Sequence, residues 1–72
     1  MEDIILNMSD DVRAKIHYTD FRKLFTLTLQ YKDKYGDGWQ NGIFDDGIDF
    51  SKEELLQFIK VLPRAEKLLT LA

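Results

Sequence analysis

Apolar and polar residues alternate strictly in two runs near the start of the chain. Val12, Ala14, Ile16 and Tyr18 fall on one side of the first run, with Arg13, Lys15, His17 and Thr19 on the other. In the second run Phe25, Leu27, Leu29 and Tyr31 alternate with Thr26, Thr28, Gln30 and Lys32. A period of two marks a half-buried strand, one face on a core and one in water. The runs predict strands over 12–19 and 24–32, joined by Asp20-Phe21-Arg22-Lys23. The threonines are β-branched and suit an exposed strand face. Ile4, Ile5 and Leu6 predict a short first strand over 2–7, with a turn at 8–11.

The pattern breaks after residue 32. Asp37-Gly38, Asn41-Gly42 and Asp46-Gly47 are three turn dipeptides in close succession. They predict an irregular loop over 33–47, with a short ribbon around Trp39 and Ile43. Ile48 to Phe50 reads as a short last strand. Ser51 and Glu54 then form a capping-box pair that opens a helix. Leu55, Leu56, Ile59 and Leu62 share one face of that helix, with Phe58 at its border. Pro63 has no amide hydrogen and is expected to stop or kink it. Ala65, Leu68, Leu69 and Ala72 predict a further turn or two. Strands first and helix last make an α+β fold: an antiparallel four-stranded sheet followed by a C-terminal helix, β-β-β-β-α.

At 72 residues the chain is expected to form a single domain over 1–72. A chain this short buries only about 60% of its unfolded surface. Such a core supplies about 3–5 kcal/mol, so small scaffolds usually carry a staple. There is no cysteine, which excludes disulfides and thiolate metal sites. The one histidine, His17, cannot build a zinc site without carboxylates. Self-association is the common staple that remains, so a homodimer is expected. No apolar run approaches the ~20 residues of a membrane span. Met1-Glu2-Asp3 lacks the positive region of a signal peptide, so a cytoplasmic location is expected, the host cytoplasm if the chain is phage-encoded.

Charge sharpens the picture. The net charge is −3, but residues 13–34 carry six bases and two acids, and residues 35–54 carry six acids and one base. A uniformly basic nucleic-acid binder is excluded, whereas a basic stripe on one face is not. Single-strand binders pair a positive groove with aromatic platforms, because phosphates need charge and bases need π faces. Arg13, Lys15, Arg22, Lys23, Lys32 and Lys34 are candidates for the charge. Phe21, Tyr31, Tyr35 and Trp39 are candidates for stacking. The plainer alternative makes the bases a solvated strand face and Phe21 and Tyr31 core residues. Trp39 is open to two roles, a plug at the core edge or an exposed anchor.

Asp20-Phe21 before a basic turn, the alternating strand Phe25 to Tyr31, Gly47-Ile48-Asp49-Phe50-Ser51 and the helix Lys52 to Leu62 resemble the positive-cofactor-four family. Its members are transcriptional coactivators and bacterial and phage single-strand-binding relatives. The resemblance spans roughly residues 12–70 and rests on pattern more than on identities. It implies a curved four-stranded sheet, a helix-packed homodimer, and single-stranded DNA bound across the sheet with little sequence preference. It places Phe21 where the family has a base-contacting aromatic and Tyr31 within one position of another. The family tends to put lysine and arginine just before Gly-Ile, where this chain has Phe44, Asp45 and Asp46.

Other chemistries fit less well. Asp33, Tyr35, Asp37 and Gly38 echo the start of a calcium loop, but position twelve is Phe44, where a bidentate glutamate is needed. His17 has no serine or cysteine partner at a motif spacing. Turn chemistry accounts for Asp45 and Asp46. The sequence thus predicts no catalysis, no cofactor and no metal. Two readings stand: a single-stranded nucleic-acid-binding protein of transcription or replication, and an acidic protein-interaction module, a phage or regulatory factor that docks on a host protein through the loop around Trp39 or mimics a nucleic acid with it.

Overall fold

A computed structural model describes residues 2–36, 38–42 and 46–72. The order is β1 (Ile4–Asn7), β2 (Val12–Thr19), β3 (Leu24–Lys32), β4 (Trp39–Asn41), β5 (Ile48–Phe50) and α1 (Lys52–Thr70). Every strand pairing is antiparallel. The predicted α+β class holds, and both alternating runs are strands with the expected bounds.

The ribbon expected near Trp39 adds a fifth strand, and β3 explains how. It is nine residues long, with β2 along one edge. Its other edge holds two three-residue strands end to end: β4 opposite Gln30–Lys32, and β5 opposite Phe25–Leu27. Two glycines make this possible. The Gly42 amide donates to the Leu29 carbonyl at 2.8 Å, and a Cβ there would lie 2.6 Å from a Tyr31 ring carbon. Gly47 has φ +73°, and its Cβ would lie 2.7 Å from the Leu27 carbonyl oxygen. Only glycine takes that conformation without strain.

Register puts Ile4, Leu6, Ala14, Ile16, Leu27 and Leu29 on one face of the sheet. Helix α1 crosses this face, packing on β3 and β5. Phe58 stacks on Phe50 at 5.6 Å, and Tyr18 packs on Phe25 at 4.7 Å. The helix opens as predicted: Ser51 Oγ accepts from the Glu54 amide at 3.1 Å, and the Ser51 amide donates back to Glu54 Oε1 at 2.9 Å.

Two expectations need correction. Pro63 does not stop the helix, which runs on to Thr70. The ring removes one donor, the one Ile59 would use, and an exposed helix meets that loss with water. The apolar face is also much less buried than a core would be. Ala14 and Ile16 are its only buried members among the described residues, and α1 buries none. Leu29, Tyr31, Ile48, Ile59 and Leu62 remain exposed beside an apolar groove of about 470 Å³ between sheet and helix. The surface of the chain is 6178 Å², against about 4,650 Å² for a folded monomer of this mass. Its radius of gyration is 13.8 Å, against about 11 Å for a compact domain of this length.

Candidate nucleic-acid interface

The opposite face of the sheet is polar, and cross-strand pairing arranges it in rows. One row reads Asn7, Arg13, Gln30, Asn41 across β1, β2, β3 and β4. Arg13 Nε donates to Gln30 Oε1 at 2.8 Å, and Gln30 Nε2 donates to Asn41 Oδ1 at 3.0 Å. Gln30 is only 7% exposed, although it lies on the face that the sequence assigns to water. What fills the space is Trp39. It sits opposite Lys32 on this same face, and the Arg13 guanidinium carbon lies 4.3 Å from its ring centroid. That is a cation–π contact. Trp39 is therefore neither a plug at the apolar core edge nor a free anchor.

Two rows along, the order is His17, Thr26, Asp49, and Asp3, just before β1, reaches in from the far side. The His17 Nδ1–H donates to Asp3 Oδ1 at 2.6 Å, and Lys15 Nζ lies 3.5 Å from Asp3 Oδ2. His17 and then Lys15 hold the Asp3 carboxyl below its usual range. At the other end Thr26 Oγ1 donates to Asp49 Oδ1 at 2.6 Å, and Arg22 Nη2 lies 3.6 Å from Asp49 Oδ2. The face thus has two halves. One carries carboxylates that engage its cations. The other carries Arg13, Lys32 and Trp39, and among the described residues no carboxylate pairs with Arg13, Lys32 or Lys34.

The candidate residues separate accordingly. Arg13, Lys15, Lys32 and Trp39 share the polar face, and Arg22 reaches it at Asp49. Phe21 and Lys23 belong to the β2–β3 turn; Phe21 is 87% exposed, so it is not a core residue, and Lys23 pairs with Asp20 at 3.8 Å. Lys34 follows β3 and is exposed, as is Tyr35. Tyr31 lies on the other face, lining the apolar groove beside Gly42. Gln30, Asn41, Asp3 and Asp49 were not legible as site residues, because only the register brings them to these partners.

The acidic loop is partly used by its own turn. Asp33 Oδ1 accepts from the Tyr35 amide at 3.1 Å, and the Asp33 amide donates to the Gly38 carbonyl at 2.8 Å. Asp46 is exposed; Asp37, Ile43, Phe44 and Asp45 lie outside the described residues. Among the described residues no group of three or more histidines, cysteines or acids is placed to hold a metal ion. No described helix is long and apolar enough to cross a membrane. No family model, curated protein or solved structure matches this chain.

Proposed function

We propose that this chain is a non-catalytic, cytoplasmic protein that binds single-stranded nucleic acid on the polar face of its sheet. One observation carries the reading: Arg13 and Trp39 meet at 4.3 Å on that face, in the half where no described acid neutralises the bases. Gln30 fixes Nε of the guanidinium and leaves its outer nitrogens for a phosphate, which a planar fork binds in bidentate fashion. The indole offers a π surface for a base. Lys32 stands opposite Trp39 and adds charge. The resemblance to the positive-cofactor-four family points the same way. The acidic-module reading has less support, since Asp33 and Asp49 are engaged within the chain.

The protein acts as a homodimer in this reading, joined through the apolar groove. The surface in excess of a compact monomer is about 1,500 Å² per chain. Covering it on two copies buries about 3,000 Å², within the range of obligate dimers. From Ile59 and Leu62 at the groove the apolar helix face continues to Leu69, where a second copy has room to dock.

Trp39 is the single tryptophan, so its emission reports on the site directly. Titration of oligo-dT at low salt should quench it at micromolar protein. Affinity should fall with salt by a log–log slope of about −0.7 per neutralised phosphate. An unchanged emission together with unchanged gel mobility would overturn the proposal.

A further inference from the structure

Along β2 the side chains of Arg13, Lys15 and His17 point to the same polar face. Alternate residues on a strand are about 7 Å apart, a repeat that an extended phosphodiester chain can follow. Arg13 at one end carries no carboxylate partner among the described residues. Lys15 and His17 share one, Asp3, whose two oxygens take the imidazole at 2.6 Å and the ammonium at 3.5 Å. A carboxylate that accepts from two such donors occupies the position of a phosphate's non-bridging oxygens. Asp49 repeats the arrangement, with the Thr26 hydroxyl at 2.6 Å and the Arg22 guanidinium at 3.6 Å.

We infer that the Lys15–His17 pair and the Arg22–Thr26 pair are phosphate sites of the single strand, and that Asp3 and Asp49 are the chain's own competitors for them. The inference rests on the nucleic-acid reading and deepens it. The competition is open to a ligand because both ion pairs are superficial. The side chains of Lys15, His17 and Arg22 are 35%, 55% and 53% exposed. Exposed pairs of this kind are held weakly, so a phosphate displaces the carboxylate at little cost. Asp3 precedes an edge strand held by four register pairs, all of them with exposed β1 residues, so it can leave without disturbing the sheet. Lys15 and His17 stay where β2 puts them, Thr26 where β3 does, and Arg22 in the turn between the two. The sheet then binds weakly at two of its sites until a polyanion outcompetes the carboxylates.

The test is oligo-dT titration of the full chain as wild type, Asp3→Asn, Asp49→Asn and the double variant, with Glu66→Gln on the helix as a charge-matched control. Asparagine keeps the shape and an acceptor oxygen, and thermal melts check folding. Each single variant should bind about two- to five-fold tighter, the gain of freeing one exposed ion pair. Each should also steepen the salt slope by about one phosphate's share, 0.7. Glu66→Gln should leave the slope unchanged. Adding Lys15→Gln or Arg22→Gln to the double variant should take back the corresponding gain. A double variant that binds like the wild type overturns the inference and leaves the Arg13–Trp39 site standing. Equal gains from Glu66→Gln overturn it too, since they would reflect overall charge. Binding by the double variant alone supports the competition by Asp3 and Asp49 and overturns the reading that the unmodified chain binds. Failure of every variant to bind overturns both proposals.

Discussion

Arg13 and Trp39 stand on strands that do not pair with one another, yet guanidinium and indole meet at 4.3 Å across β3. The contact roofs Gln30, which explains a buried amide on a face otherwise open to water. It also sets a test that separates charge from geometry. Arg13→Lys keeps the charge and loses the fork, so oligo-dT affinity should drop while the salt slope stays the same. Trp39→Ala should cost about 1–3 kcal/mol of binding, the value of one stacked base. Trp39→Phe should recover part of it. Filter binding or anisotropy with a labelled oligonucleotide measures all three.

The apolar groove predicts association. Sedimentation at micromolar concentration should show a dimer, and the melting temperature should rise with protein concentration. Ile59 is 50% exposed in one chain. If it becomes core on pairing, Ile59→Ala weakens the dimer by about 2–5 kcal/mol. A stable monomer at micromolar concentration would remove the homodimer from the proposed function.

Gly47 tests the tandem edge. Gly47→Ala must hold a Cβ 2.7 Å from the Leu27 oxygen at φ +73°, and should destabilise by at least about 1–3 kcal/mol. Gly38→Ala meets nothing within 4 Å and has no positive φ, so it should be near neutral. Thermal denaturation of the two variants side by side decides the matter.

The helix cap predicts a pH effect. The Ser51 backbone amide, then its hydroxyl contact, holds the Glu54 carboxyl below its ordinary 4.5. A depressed carboxyl lends stability in full above that ordinary value, and the gain is lost as pH falls through the lower, folded one. Helical circular dichroism should decline on acidification below pH 4.5, and Glu54→Gln should remove that component of the decline. Ser51→Ala should cost about 1 kcal/mol, or about 4–8 °C in a domain of this size.

Much of the architecture was legible in residue order. The alternation at 12–19 and 24–32 placed β2 and β3 because side-chain period is a local property. Ser51 and Glu54 placed the helix start for the same reason. Pro63 was expected to stop or kink the helix; the stop failed because helix on both sides of it outlasts the lost amide and the clash of its ring with the preceding turn. The burial of the apolar face was overestimated because alternation tells which side is dry without telling whether one chain suffices to cover it. The polar face was half legible. Arg13, Lys15 and Lys32 follow from the period, but the carboxylates beside them do not. Asp3 is 12 residues from Lys15 and Asp49 is 27 residues from Arg22 along the chain, yet in space the register sets the two carboxylates at opposite ends of one row.

The order of the sheet has a kinetic consequence. β1 pairs with β2, β2 with β3 and β3 with β4, so every ladder except β3–β5 joins neighbours in sequence. Topologies rich in local pairings fold fast, because little loop entropy is spent before contacts repay it. For a chain that pairs as proposed, the slow event is then not the closing of the sheet but the meeting of two copies, a bimolecular step. Refolding should show a rapid phase indifferent to dilution, followed by a slower one whose rate rises in proportion to the amount of protein.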